Sequence, residues 1–109
     1  MASFGENAVH AWANINQSGS QSIVDSYNIS SITDNTVGKT TFSFSTNAAN
    51  DDFAFISSAG NASGTTTSGR TQNNDEALSV GTFRIRNYNA TAGTTKDDTF
   101  VSVIVISDS

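Results

Sequence analysis

The chain has 109 residues, of which 36% are hydrophobic and 14% charged, and its formal net charge is −5. This length indicates a single domain with a core of modest size. The acidic balance excludes nucleic-acid binding by phosphate neutralisation, which requires clustered lysine and arginine, and it disfavours attachment to an anionic membrane.

Cysteine and proline are both absent from the chain. The first absence excludes disulfide bonds and thiolate metal sites, and a small domain without such staples commonly relies on oligomerisation. Disordered chains combine low hydrophobicity with high charge and few aromatic residues. Here the charge is low and most phenylalanines lie in alternating runs, so we expect a folded chain rich in β-strands.

The N-terminal residues 1–10 are predicted to be a polar arm, and residues 11–109 a single β-sandwich domain. The arm lacks the basic start and apolar run of a signal peptide, and no apolar run in the chain is long enough to span a membrane. We therefore expect synthesis in a cytoplasm. His10, the only histidine, is expected to be a surface residue rather than a metal ligand or a base.

The first half of the chain is predicted to form strands on either side of one turn. Residues 11–16, AWANIN, alternate and place Trp12 on the face opposite the apolar residues. Residues 22–32 are a second β-prone run, and residues 39–44 alternate with two phenylalanines on one face. Residues 30–38, SSITDNTVG, carry the clearest turn signal, because Asx side chains bond their own backbone and glycine accepts positive φ. This stretch predicts a β-hairpin.

The middle of the chain combines an apolar run with a long polar one. Residues 53–57, FAFIS, are apolar on both faces and predict a strand that is buried on both sides. Residues 59–74 are dominated by Gly, Ser, Thr and Asn. They are predicted to form either a long surface loop or an exposed polar strand around residues 65–67, and loops of this length are commonly functional or mobile.

Two further strands are predicted near the C-terminus. Residues 75–88 alternate towards their end, where Arg84 and Arg86 share the face opposite the apolar residues. These arginines either form a solvated strand face or pair with acids across a subunit contact. Residues 99–106 are apolar on both faces, so we expect this strand in the middle of a sandwich or against a partner.

Together these runs make about six to eight short strands separated by turn signals, with no convincing helical period. This pattern predicts an all-β fold, a small antiparallel β-sandwich of jelly-roll-like type. Two-sided apolar strands in a domain of this size favour a partner surface, which a closed symmetric oligomer supplies.

No catalytic constellation is evident in the sequence. The nucleophile elbow, the phosphate-binding glycine loop and the HExxH and CxxC motifs are all missing. We therefore expect no enzymatic activity, no cofactor and no catalytic metal. Acidic pairs at residues 51–52, 75–76 and 97–98 lack the spaced calcium-loop pattern, so we interpret them as solvated loop charges, with a structural Ca²⁺ site as the alternative.

Four segments carry a resemblance to a known family. AWANIN at residues 11–16, SSITDN at residues 30–35, FRIRNYN at residues 83–89 and VSVIV at residues 101–105 resemble a structural module of tailed bacteriophages. That module is common at the C-terminus of tail-fibre-like proteins, and the resemblance extends from about residue 11 to residue 106. The chain departs from the family in lacking a proline after Thr46 and in having no shaft before the module.

The resemblance implies a non-catalytic homotrimer located in the virion after synthesis in the host cytoplasm. Because no shaft precedes the module, we expect a separate subunit that decorates or cements the capsid, with the major capsid protein or tail components as partners. The alternative is the receptor-binding tip of a tail fibre, with a host surface glycan or protein as its partner. A third hypothesis, an enzyme acting on carbohydrate, lacks a catalytic constellation.

Two sets of candidate contact residues follow from these expectations. The candidates for subunit or virion contact are large or charged side chains on predicted strand faces: Trp12, Arg84, Arg86, Phe100, Ile104 and Ile106. The candidates for exposed recognition lie in the polar stretches: Asn61, Arg70, Asn73, Asn74 and Lys96.

Overall fold

Alternation of apolar and polar residues directs one face of nearly every strand into a shared core. The computed structural model describes residues 8–65 and 68–107. Its strands form two antiparallel four-stranded sheets, which confirms the predicted all-β sandwich. The strands are β1 (Ala8–Asn16), β2 (Ser22–Tyr27), β3 (Ile29–Thr36), β4 (Lys39–Phe44), β5 (Ala54–Gly60), β6 (Arg70–Asn74), β7 (Thr82–Asn89) and β8 (Phe100–Ser107).

The first sheet has the strand order β2-β1-β8-β5, and the second has the order β3-β4-β7-β6. We call them sheet 1 and sheet 2. None of the described residues forms a helix that could cross a membrane. The predicted middle position of the last strand is confirmed, because β8 pairs with β1 on one side and with β5 on the other.

Aromatic rings fill the space between the two sheets. Phe42 and Phe83 are fully buried and stacked, with ring centroids 4.8 Å apart. Phe44, Phe53 and Phe55 surround Phe83 at centroid distances of 5.6, 6.1 and 4.8 Å. Burying one such side chain stabilises the fold by about 1.5–3 kcal/mol, so this cluster, in which Phe55 comes from sheet 1 and Phe42, Phe44 and Phe83 come from sheet 2, is a large apolar part of the core.

The predicted hairpin is confirmed, but its turn is shorter than the signal in residues 30–38. Strand β3 continues to Thr36, and only Val37 and Gly38 form the turn to β4. Gly38 has φ +73°, and a Cβ there would clash with the carbonyl oxygen of Asn87. The predicted strand 22–32 is divided at Asn28, whose φ of 57° redirects the chain from sheet 1 into sheet 2.

Strand β5 corrects the prediction of a strand buried on both sides. It is an edge strand, because only β8 pairs with it in sheet 1. Phe55 points into the core, whereas the side chain of Ile56 is 63% exposed on the outer face. Phe53 is buried but lies just before the strand begins.

Two predicted boundaries are placed differently by the structure. Strand β1 begins at Ala8, so the last three residues of the predicted arm belong to this strand, and Ala8 and Val9 pair with β8, while residues 1–7 lie outside the described residues. The polar strand predicted around residues 65–67 includes Thr66 and Thr67, which also lie outside the described residues.

Candidate functional site

The two sheets differ sharply in charge. Asp25 is the only Asp, Glu, Lys or Arg within the four strands of sheet 1. The strands of sheet 2 contain five such residues: Asp34, Lys39, Arg70, Arg84 and Arg86. The outer face of sheet 1 is therefore the apolar surface of the molecule, and the outer face of sheet 2 is hydrophilic.

One row of large apolar side chains crosses all four strands of sheet 1. Tyr27 pairs with Trp12, Trp12 with Ile104, and Ile104 with Ile56. Their exposed fractions are 56%, 36%, 44% and 63% in that order along the row from Tyr27 to Ile56. We call these four residues the apolar row. Directly paired exposed side chains of this size form a continuous patch, which is uncommon on an isolated surface.

A groove of about 320 Å³ lies beside the apolar row. Trp12 contributes to it from β1, and Phe100 and Ile104 contribute from β8. Asn14 also lines the groove, and its buried Oδ1 atom accepts no hydrogen bond from the described residues. A partner that placed an apolar side chain here would fill the groove.

The structure brings four of the six predicted contact residues onto this one face. Trp12, Phe100 and Ile104 line the groove, and Ile106 lies on the same face opposite Val9 of β1. Their common signal is the alternation of β1 and β8. Sequence reasoning missed Tyr27 and Ile56 as members of the surface.

Arg84 and Arg86 lie on the opposite side of the molecule, on the outer face of sheet 2. Their Nε atoms are each 3.1 Å from the carboxylate of Asp75, and Lys39 Nζ is 3.9 Å from it. The contacts of Arg84 Nε and Arg86 Nε with Asp75 are ion pairs that lack hydrogen-bond geometry. The Asp75 side chain is only 7% exposed, so it is not the solvated loop charge that the sequence indicated. Its burial explains why several cations gather around it.

A second cavity, polar and of about 320 Å³, lies where loops meet at one end of the sandwich. It brings together Asn61, Arg70 and Lys96 from the predicted recognition set. The other lining residues are Ser18, Thr65, Asp97, Asp98 and Thr99. Asn73 and Asn74 lie outside it at the end of β6, where Asn73 Nδ2 donates to the hydroxyl of Tyr88.

Arg70 is not the exposed loop residue that the sequence indicated. It is the first residue of β6, and its side chain is 9% exposed. Its Nε donates to Asp98 Oδ2 at 2.8 Å, and its Nη1 donates to Ser68 Oγ at 2.9 Å. Asp98 is also buried, at 5% exposed, and therefore corrects the second expectation of a solvated acid. Each charge is buried because the other compensates it.

Buried polar side chains form a hydrogen-bond network with this ion pair. Asn87 Nδ2 donates to Asp98 Oδ2 at 2.8 Å, and Gln72 Nε2 donates to Asn87 Oδ1 at 2.9 Å. Gln17 Nε2 donates to Thr40 Oγ1 at 3.0 Å. Gln17, Thr40 and Asn87 are each fully buried, so this end of the core is polar whereas the other end is aromatic. No spacing in the sequence marks these residues as neighbours.

The described residues contain no cluster of three or more His, Asp or Glu side chains that could hold a metal ion. The geometry instead offers an apolar outer face on sheet 1 and a polar cavity at one end. A scan against protein-family models and searches of curated proteins and solved structures found no match to this chain.

Proposed function

We propose that the protein is a non-catalytic bacteriophage virion structural subunit, and that it decorates or cements the capsid as a homotrimer. The observation that carries this proposal is the apolar row, which crosses every strand of sheet 1 without an accompanying lysine or arginine. The bacteriophage assignment and the trimer come from the sequence resemblance, and the row supplies a surface on which such a subunit would dock.

The contrast between the two sheets supports a docking role. A subunit that coats a shell needs one apolar face towards the shell and one hydrophilic face towards water. Sheet 1 carries the first kind of face, whereas sheet 2 presents Arg84, Arg86 and Lys39 around Asp75. Trp12 lies within the row beside the groove, the kind of position in which a tryptophan contributes most to a protein contact.

The proposal is tested by binding of the purified protein to capsids that lack decoration. We expect the parent protein to bind and Ile104→Lys to lose binding at least tenfold, because the substitution places a charge in the centre of a desolvated contact. Thr33→Lys is the matched control, since Thr33 is exposed on sheet 2. Equal binding by Ile104→Lys and the parent would contradict the proposed docking face.

The polar cavity favours one alternative function, the receptor-binding tip of a tail fibre. Asn61, Arg70 and Lys96 converge there with two carboxylates, so donors and acceptors both face a ligand-sized space. Under this alternative, the protein binds host surface polysaccharide, and Lys96→Ala weakens that binding while Lys39→Ala does not. Binding to host glycan without binding to capsids would favour the tail-fibre tip over capsid decoration.

A further inference from the structure

Edge strands expose unpaired backbone groups, and natural proteins protect them by charge, irregularity or shortness. Three of the four edge strands here carry such protection. Strand β2 contains Asp25 and a register shift against β1. Strand β3 contains Asp34 and two register shifts against β4. Strand β6 has five residues and begins with Arg70.

Strand β5 has none of these protections. Its seven residues, Ala54–Gly60, are uncharged, and they pair with β8 in one unbroken register. The outward edge of β5 receives no hydrogen bond from the described residues. Ile56, at the middle of this edge, is the end of the apolar row and one of its most exposed members. An open edge of this kind is a template for another strand.

We propose that β5 pairs antiparallel with β5 of a second copy, about a two-fold axis that passes beside Ile56. This register places Ile56 opposite Ile56 of the partner subunit and Ala54 opposite Ser58 of the partner subunit. The hydrophobic pattern selects it, because register is strongly specified where it aligns apolar residues on one face. The apolar row then continues from one copy into the next.

The symmetry of this pairing keeps the docking face available. The two-fold axis of an antiparallel strand pair is perpendicular to the sheet, so both copies present the outer face of sheet 1 on the same side. The pairing therefore extends the apolar surface instead of covering it. A partner strand with a different sequence would not reproduce this continuity, which is why the structure favours a second copy as the occupant.

This inference rests on the proposed function for its setting on a capsid. If sheet 1 lies flat on the shell, neighbouring trimers meet across two-fold axes that are normal to the shell surface. Pairing of β5 across such an axis would join trimers into a net. The contact brings together two uncharged strands, so the net charge of −5 on each copy is not concentrated at the junction.

Single-cysteine variants test the register directly, because the chain contains no cysteine. In the proposed pairing, residue 56 lies opposite residue 56 of the partner subunit. The distance between their two Cα atoms is within the range that a disulfide requires. We expect Ile56→Cys to form disulfide-linked dimers under mild oxidation at high protein concentration. Ser58→Cys is the matched control on the same exposed face, and its two cysteines would lie about 13 Å apart along the strands.

The outcomes separate the inference from the proposed function. Efficient linkage of Ile56→Cys with little linkage of Ser58→Cys supports the pairing, even if no variant binds capsids. Equal linkage of both variants overturns the register. Absence of linkage both for the free protein and on decorated capsids overturns the pairing, even if capsid binding itself is intact.

A charged substitution provides a second test, by self-association, that introduces no cysteine. Ile56→Lys places a charge on the exposed edge, and we expect it to abolish concentration-dependent self-association of trimers in sedimentation velocity. Val37→Lys, at a turn residue that is 50% exposed, is expected to associate as the parent does. Identical sedimentation of the parent and Ile56→Lys at all concentrations would contradict the pairing.

Discussion

At the scale of single residues, Asn28 shapes the corner between the two sheets through both its backbone conformation and its side-chain hydrogen bonds. It adopts φ 57° at the corner between the sheets. Its Nδ2 donates to the carbonyl of His10 at 3.0 Å, and its Oδ1 accepts from the N–H of Thr46 at 2.8 Å. One side chain thus ties the start of β1 to the segment that follows β4. His10 also contacts Thr46, since its Nε2 lies 2.9 Å from that carbonyl oxygen.

Substitutions at Asn28 separate backbone conformation from side-chain hydrogen bonding. Asn28→Gly accepts the positive φ and loses only the side-chain bonds, whereas Asn28→Ala loses the same bonds and is also strained at positive φ. We expect both to be destabilised in urea unfolding, with the alanine variant lower by up to about 1 kcal/mol because of left-handed strain. Parent-like stability of Asn28→Ala would show that the corner tolerates another conformation.

The buried pair of Arg70 and Asp98 makes a prediction of non-additivity. Arg70→Met leaves the carboxylate of Asp98 without its cation, and Asp98→Asn leaves the guanidinium without its anion, so each is expected to cost about 3–5 kcal/mol. The double variant is expected to cost less than the sum of the two, since no charge remains buried. Urea unfolding of all three variants measures the coupling, and simple addition would contradict it.

At the scale of elements, the alternation of apolar and polar residues predicted strand faces correctly wherever a strand had one solvent-exposed and one buried face. It placed Arg84 and Arg86 opposite the core in β7 and recognised β8 as a central strand. It failed for β5, because an exposed Ile56 and a buried one look alike in a sequence. Whether a two-sided apolar strand lies centrally or at an edge depends on which strands pair with it, and that is a property of the whole fold.

The polar network was beyond sequence reasoning for a related reason. Asn87 lies 11 residues from Asp98 in the chain but 70 residues from Gln17, and only the packing of sheet 1 on sheet 2 makes Gln17 a neighbour of the other two. A buried polar residue has no periodic pattern in the sequence, because it is stabilised in the core by its hydrogen-bond partners and not by its hydrophobicity. The apolar row, by contrast, could be half predicted from Trp12 and Ile104.

The β3–β4 turn makes a prediction at the element scale. Gly38→Ala is expected to lose at least about 2 kcal/mol of unfolding free energy, because it adds left-handed strain and a clash with the backbone of Asn87. Gly93→Ala is the matched control, since Gly93 has φ +71° but nothing within 4 Å of its added Cβ. Thermal unfolding of both variants isolates the clash, and equal losses would contradict it.

At the scale of the whole molecule, charge and apolar surface are separated onto opposite faces. Sheet 1 contains one charged residue in its strands and sheet 2 contains five. The net charge of −5 therefore does not describe the outer face of sheet 1, where docking is proposed. Such a division allows a protein to remain well solvated on one side while a broad apolar contact forms on the other.

This division predicts how capsid binding responds to salt. Contacts between charged groups weaken as ionic strength rises, whereas burial of apolar surface does not. We expect the dissociation constant for capsids to change by less than about threefold between 0.05 and 0.5 M salt, a range that strongly screens exposed charges. A steep loss of binding with salt would instead indicate that the charged face of sheet 2 makes the contact.

The position of Trp12 has a spectroscopic consequence. It is the only tryptophan in the chain, and it lies in the apolar row with about a third of its side chain in contact with water. The indole emission of the unlabelled protein therefore originates within the surface where a partner is proposed to dock. Covering that surface should shift the emission to shorter wavelength, so the molecule carries an intrinsic fluorophore that would report assembly without any label.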